Sequence, residues 1–289
     1  MAFELSWQEL SKASQQLGDL LSLFAPFPIP WILVEQIMND QKEDRLEDSR
    51  TELENLHLLK GTNPYHFHDL IREFFRTKLE QSPHVNKYKR DFSKVMVTVA
   101  QSVSRSLTLA DIEQLTHVIS HLAEVATHLI RWVDDTDLIW LFVGLARFYE
   151  AQGAVSQAEP WYEECLSICR DRLGEEHPDV ATSLNNLAGL YASQGHYGDA
   201  EPLYVQALEL NQQLLGDEHP DVATGLNNLA GLYASQGRYS DAEPLYVQAL
   251  ELTKRLLGEE HPDVATSLNN LAGLYASQGR YSDAEPLYT

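Results

Sequence analysis

Paired asparagines are the side chains whose type and spacing most suggest a binding chemistry. The pairs recur every 42 residues, as Asn185-Asn186, Asn227-Asn228 and Asn269-Asn270. An asparagine amide donates and accepts hydrogen bonds, so a row of them can hold an extended peptide backbone without reading much of its side chains. Each pair is followed by a glycine that leaves room beside the amides, at Gly189, Gly231 and Gly273. The alternative is that the asparagines link neighbouring repeats.

Histidines and cysteines are weaker candidates for metal or redox chemistry. His117 and His121 are four residues apart, but the glutamate and third ligand of a zinc motif are missing, so surface histidines are favoured over a zinc site. Cys165 and Cys169 share one helix face, and buried small apolar side chains are favoured there over a metal or redox pair. The acid-His-Pro triplets, the first at 176–178, are interpreted as helix-capping loops rather than ligands. We expect no metal, no cofactor and no enzymatic activity.

An internal repeat of 42 residues defines the elements that must position these side chains. Segments 177–218 and 219–260 agree at 35 of 42 positions, and the segment that begins at 261 agrees with its predecessor at 27 of 29. A period of this length predicts stacked helical hairpins, which offer a long surface and no single chemical centre.

Each repeat is predicted to contain two helices. Apolar residues at helical spacing begin at Leu184 and, after a break, begin again at Ala200. We expect Pro178 to start the first helix and Gly195 to end it in a left-handed conformation. Pro202 is expected to mark the start of the second helix, because proline is tolerated best in a first turn.

This layout resembles the tetratricopeptide repeat. In one copy the signature positions are Leu184, Leu187, Ala188, Tyr191, Gly195, Tyr197, Ala200, Tyr204 and Ala207. The period of 42 residues, in place of about 34, and the segments LNNLAGLY and AEPLY resemble the kinesin light chain type. The resemblance implies an α-solenoid whose first helices line a concave groove that binds a peptide or protein.

The array is predicted to cover residues 135–289. A worn copy at 135–176 precedes the copies 177–218 and 219–260, and the last copy, 261–289, is truncated, so the chain is expected to be a fragment. Residues 85–134, with helical apolar spacing from Leu115 to Val125, are predicted to form a connector that packs on the first repeat.

Residues 1–84 are predicted to form a winged-helix-like domain. Three helices, at 11–24, 31–38 and 44–59, precede a small hairpin with a Gly-Thr-Asn-Pro turn and a helix that begins at Asp69. The predicted fold class is therefore mainly α, with a winged-helix-like domain, a helical connector and an α-solenoid of tetratricopeptide hairpins.

The N-terminal segments FELSW, PIPW and FHDLIREFF are similar to the winged helix of NB-ARC signalling NTPases. The resemblance implies that His68 and Asp69 match a motif whose histidine approaches the phosphates of bound ADP. The chain contains no GxxxxGK[ST] loop. We therefore expect no nucleotide hydrolysis, and ADP or ATP would bind only in a longer parent protein that carries a nucleotide domain.

Charge and hydropathy restrict the classes of partner. The net charge is −22, and residues 135–289 carry −17 of it. Such a surface repels nucleic acid and anionic membranes and favours a neutral or basic peptide. The longest apolar stretch, 20–34, contains three prolines and is too short to span a bilayer, and the N-terminus lacks the basic region of a signal peptide. With only two cysteines, the expected location is cytoplasmic.

These observations favour a non-catalytic protein-interaction module, the sensor arm of a signalling NTPase whose nucleotide domain is absent. The first alternative is an adaptor or scaffold like a kinesin light chain. The second is a winged-helix DNA-binding regulator, for which the basic residues Lys87, Lys89 and Arg90 are the available support.

Overall fold

The computed structural model describes residues 2–39 and 43–288, apart from the side chains of residues 2 and 43. The chain divides into two compact units, 1–161 and 162–289, and the boundary falls inside a helix. No helix in the described ranges has both the length and the apolar character needed to cross a membrane.

The first part of the N-terminal unit contains five helices and one hairpin. In chain order they are α1 (Ala2–Glu9), α2 (Lys12–Leu21), α3 (Trp31–Ile37), α4 (Glu43–Asn55), β1 (Leu59–Gly61), β2 (Tyr65–Phe67) and α5 (Asp69–Gln81). The predicted order of three helices, hairpin and helix is therefore confirmed for α2 to α5. The strands are antiparallel, with Leu59 opposite Phe67, and the turn between them follows Gly61, whose φ is +108°.

The sequence pattern did not predict α1, which is too short to be stable alone. Tertiary contacts with α5 hold it in place. The Phe3 and Trp7 rings lie 5.9 and 6.1 Å from the Phe74 ring, and Lys78 Nζ lies 2.9 Å from Glu4 Oε1.

The connector consists of one long helix followed by several short ones. They are α6 (Val85–Ser102), α7 (Leu109–Thr116) and α8 (Ile119–Glu124), followed by a π-helical turn (Val125–Leu129) and a 3-10 turn (Ile130–Trp132). The apolar spacing from Leu115 to Val125 is divided between α7, α8 and the π-helical turn, because the chain turns at His117 and Val118. A capping box between Thr108 and Asp111 starts α7, which buries no residue, and the turn allows α8 to bury Ile119 and Leu122 instead.

The connector packs on the first repeat, as predicted. The first helix of that repeat, α9 (Leu138–Ala151), lies against α6. At their closest approach, a Cβ atom added to Gly144 would lie 2.9 Å from the Ala100 carbonyl oxygen. Any larger residue at position 144 would therefore force the two helices apart.

His121 is fully buried, so its assignment as a surface histidine was wrong. Its Nδ1 accepts a hydrogen bond from the Ala25 backbone N–H at 3.2 Å, and its Nε2 donates to the Pro28 carbonyl at 3.0 Å. Its ring also meets Phe24 edge to face, with 5.0 Å between centroids. The histidine thus fastens α8 to the loop before α3, a long-range contact that spacing cannot reveal. Burial lowers the pKa of His121 to about 4.

The second unit is an array of helical hairpins. Helix α10 (Val155–Leu173) enters it and is followed by the hairpins α11 (Pro178–Ser193) with α12 (Tyr197–Leu215), α13 (Pro220–Ser235) with α14 (Tyr239–Leu257), and α15 (Pro262–Ser277) with α16 (Tyr281–Ala284). A 3-10 turn, Glu285–Leu287, follows α16. The predicted ends of the first helices are confirmed, since Pro178 is the first residue of α11 and Gly195 has φ +77°.

The position predicted for Pro202 was wrong. Helix α12 begins five residues earlier, at Tyr197, and Pro202 lies inside it, as Pro244 lies inside α14. The loop after Gly195 is so short that the second helix must start at once. Proline is tolerated there because it costs one backbone hydrogen bond near the helix start and lies exposed to solvent.

The acid-His-Pro triplets are confirmed as capping loops. His177, His219 and His261 each occupy the N-cap of a first helix, and each Nδ1 accepts from the backbone N–H two residues later, at 3.1 to 3.2 Å. The cysteines are confirmed as buried, and Cys165 Sγ lies 3.3 Å from Ser183 Oγ.

Burial of His121 predicts an acid-sensitive N-terminal unit. Its pKa is depressed in the folded chain, so the stabilisation is complete above about pH 6.5 and is lost as the pH falls towards 4, a change of about 3 kcal/mol. In urea denaturation, the free energy of unfolding should therefore fall more steeply between pH 7 and pH 4 for the wild type than for His121→Asn. His117→Asn, which alters an exposed histidine, should follow the wild type. Parallel curves for all three chains would contradict the prediction.

The last hairpin is predicted to be the least stable part of the array. Its second helix is one turn long, and Tyr288 is 57% exposed whereas its counterpart Tyr246 is 7% exposed. Because neighbouring repeats supply most of the burial, amide hydrogen exchange should be fastest beyond Ser282 and slowest between 184 and 250. Equal protection of backbone amides from residue 184 to residue 288 would contradict the prediction.

Candidate functional site

The three first helices of the array present one recurring set of small and amide side chains, here called the first-helix face. Its members are Asn185, Asn186, Gly189, Asn227, Asn228, Gly231, Asn269, Asn270 and Gly273. Asn269 is exposed and the others are half-buried. Helices α11, α13 and α15 carry no lysine or arginine, so the face has no cation with which to hold a carboxylate.

Some of these asparagines link neighbouring repeats. Asn228 Nδ2 donates to Asn185 Oδ1 at 2.9 Å, and Asn227 Nδ2 donates to Ser267 Oγ at 3.3 Å. The Oδ1 atom of Asn227 is buried and has no hydrogen-bond partner among the residues that the structure describes. For these three residues the structure supports the alternative role as bridges between repeats.

Other asparagines keep their amides available. Asn186, Asn269 and Asn270 make no side-chain hydrogen bond within the part of the chain that the structure describes. Asn186 and Asn228 occupy the same position in successive repeats, so one helix position carries a bonded amide in one copy and an available amide in another.

The glycines of the face lie over the second helices. A Cβ atom at Gly189 would lie 3.4 Å from the Tyr204 hydroxyl, and one at Gly231 would lie 3.3 Å from the Tyr246 hydroxyl. Gly273 has open space around it. Two of the three glycines therefore accommodate a tyrosine of their own hairpin, a role that the sequence analysis did not assign to them.

The array also contains ion pairs between neighbouring repeats that were not predicted from the sequence. Arg238 Nη1 lies 2.9 Å from Glu201 Oε2 in the preceding repeat, and its guanidinium stacks 3.9 Å from the Tyr233 ring centroid. Arg280 repeats the arrangement with Glu243, at 2.8 Å. The carboxylates of Asp241 and Glu201 raise the pKa of Arg238. The detectable signal was an arginine and a glutamate 37 residues apart in two successive copies.

Acidic residues lie at the starts of the first helices. Asp179 lies in the first turn of α11, and its Oδ2 is 3.9 Å from His177 Nδ1. Burial raises the pKa of Asp179, and the nearby His177 opposes that shift. The acidic counterparts Asp221 and Asp263 occupy the same place in the next two copies.

The NB-ARC-like motif lies in the N-terminal unit. His68 is the N-cap of α5, and its Nδ1 accepts a hydrogen bond from the Leu70 backbone N–H at 3.2 Å. Asp69 is exposed in the first turn, 3.9 Å from Arg72. The geometry gives His68 a structural role as a cap, the same role as that of His177.

No group of three or more potential metal ligands occurs among the residues that the structure describes. His121 uses both ring nitrogens in hydrogen bonds to backbone atoms. The sulfur atoms of Cys165 and Cys169 both face Ser183, in an apolar interior.

Solved structures with a similar fold include repeat proteins. BtubC (BKLC) from P. vanneervenii is 25% identical, with TM-score 0.55, over 72% of this chain and 87% of that chain. A putative kinesin light chain from Podosopora anserina with nearly identical TPR-like repeats is 24% identical, with TM-score 0.54, over 71% and 93%. A Rap protein complexed with Competence and Sporulation Factor is 15% identical, with TM-score 0.53, over 95% and 75%.

A family model provides the assignment. No curated protein sequence matches the chain. The model described as "Tetratricopeptide repeat" matches residues 137–213, 197–254 and 221–289. These segments together cover more than half of the chain and contain every residue of the first-helix face. The protein therefore belongs to the tetratricopeptide repeat family.

Proposed function

We propose that the array binds an extended segment of a protein partner on the first-helix face. The observation that carries the proposal is the set of available amides, Asn186, Asn269 and Asn270, on helices that otherwise expose small side chains. The bonded pair Asn185 and Asn228 would fix the spacing between helices, and the available amides would contact the ligand.

An available asparagine suits an extended ligand because its oxygen accepts from a peptide N–H while its nitrogen donates to a peptide C=O. These bonds do not depend on the ligand's side chains, so the partner would be recognised mainly as a backbone. The concave arrangement implied by the resemblance to kinesin light chains supports this mode.

The charge of the array favours a neutral or basic partner. Residues 135–289 carry a net charge of −17, and α11, α13 and α15 contain no cationic side chain. Long-range attraction would accelerate association with a basic segment, and the acidic surface would disfavour nucleic acid and anionic membranes.

Two biological contexts are consistent with such a module. In the first, the array is the sensor arm of a signalling NTPase, which the FHDLIREFF resemblance supports; His68 and Asp69 would then report on nucleotide held by a separate domain. In the second, the chain is an adaptor or scaffold, which the likeness to a putative kinesin light chain supports. In both contexts the module is non-catalytic and cytoplasmic.

Substitutions at one repeated position test the proposal. Peptides selected by phage display on the full chain provide the ligand. We expect Asn186→Ala to weaken peptide binding by about 1 to 3 kcal/mol, because the lost amide leaves a backbone group unpaired, and to leave the melting temperature nearly unchanged. Isothermal titration calorimetry and thermal unfolding measure the two quantities.

Asn228→Ala is the matched control, since it removes the same side chain at the equivalent position but breaks the bond to Asn185. It should lower stability by about 1 kcal/mol. If Asn186→Ala and Asn270→Ala both leave peptide affinity unchanged while selected peptides still bind, the first-helix face is not the binding site.

A further inference from the structure

The N-terminal unit contains a buried carboxyl group to which no function has been assigned above. Asp19 is near the C-terminal end of α2 and is 4% exposed. Its Oδ1 atom has no hydrogen-bond partner in the described part of the chain. An ionised carboxylate in such a place would be costly in free energy, because it loses its hydrogen bonds to water and the protein does not fully replace them.

The groups facing Asp19 from α5 do not neutralise it. Ser82 offers a hydroxyl hydrogen bond, and Lys78 is the cation whose charge acts on the carboxyl. Lys78 is already engaged, however: its Nζ is 2.9 Å from Glu4 Oε1 and 5.6 Å from the Trp7 ring centroid. Because its charge is shared with Glu4, Lys78 stabilises the ionised form of Asp19 only in part.

Tyr88 is the titratable group of α6 that interacts with Asp19. Tyr88 is 7% exposed, and burial together with the charge of Asp19 raises its pKa to about 12. The charges next to Tyr88 are Lys87 and Asp91, which pair with each other at 2.8 Å. Ser93 is 1% exposed, with an unpartnered hydroxyl oxygen.

Glu52 of α4, the acidic residue that α4 directs at α2, is engaged elsewhere. Glu52 accepts hydrogen bonds from Ser11 and Ser14, at the opposite end of α2. No cation that the structure describes forms an ion pair with Asp19 within 4.0 Å. Burial accordingly raises the pKa of Asp19 to about 7, although Ser82 and Lys78 lower it in part.

We propose that Asp19 is a proton-linked latch, whose neutral acid holds α2 against α5 and α6 and whose ionised form loosens that junction. The direction of the pH dependence follows from the linkage between proton binding and folding. A carboxyl group with a higher pKa in the folded chain stabilises the fold fully below its ordinary value of 3.8 and loses that contribution as the pH rises through about 7. The latch therefore weakens as the pH rises from about 4 to 7 and has lost its contribution above about pH 7, the opposite direction from His121.

The position of the latch gives it a path to the array. Helix α2 packs on α5, α5 contacts α6, and α6 also carries α9, the first helix of the first repeat. Tyr88 of α6 is close enough to Asp19 for the two charges to interact. A shift of α6 would be felt by α9, because Gly144 leaves no slack between the two helices.

Hydrogen exchange on the full chain tests the proposal. After correction for intrinsic exchange rates, protection of α2 and α6 amides in the wild type should fall by up to about tenfold per pH unit between about pH 4 and pH 7 and become constant above about pH 7. Asp19→Asn replaces the acid with a neutral amide of the same shape, and its protection should stay nearly constant. Asp91→Asn, a change at the half-buried carboxylate of α6 that pairs with Lys87, should keep the wild-type dependence.

The same slope in the wild type and in Asp19→Asn would overturn the latch. If Asp19→Asn does not fold, the wild-type chain still decides the question through the carboxyl ¹³C shift of Asp19. A titration midpoint near pH 7 supports the proposal, and a midpoint below about 5 would overturn it.

Discussion

The constraint on which this structure depends is that one helical hairpin cannot bury its own apolar stripe. Each second helix instead packs on the first helix of the following repeat, so that Tyr204 and Leu208 share one core with Val222 and Leu226. The next junction repeats the arrangement with Tyr246 and Val264. The loops therefore only have to reverse the chain, and the helix starts, glycine ends and loop lengths follow from that requirement.

Much of the fold follows from local signals in the sequence. The period, the caps at His177 and Pro178, and the left-handed Gly195 are short-range features, and the structure reproduces them. The two failures have different physical causes. Pro202 was misplaced because the short loop overrides the preference of proline, and His121 was misassigned because its partners are the backbone atoms of residues 25 and 28, which no spacing connects to it.

The candidate site shows the same limit. The recurrence of the asparagines was visible in the sequence, but their hydrogen bonds were not, because a bond between Asn185 and Asn228 depends on how closely α11 and α13 approach. Likewise Gly189 was interpreted as open space, although it faces the hydroxyl of Tyr204. Sequence periodicity identifies equivalent positions, whereas packing decides which of them remain available.

The similarity of the junctions also makes the repeats nearly interchangeable, so that the number of repeats can change. Glu201 and Glu243 occupy the same position and receive the same kind of arginine from the following copy. If residues 219–260 were deleted as a block, Glu218 would be followed by His261, and Glu201 would meet Arg280 in place of Arg238. Most residues at the new junction would be identical to those they replace, but Ser267 would take the place of Gly225, where an added Cβ atom would lie 3.1 Å from Leu208. Loss of a whole copy would therefore keep the ion pair between repeats and require one local adjustment beside Leu208.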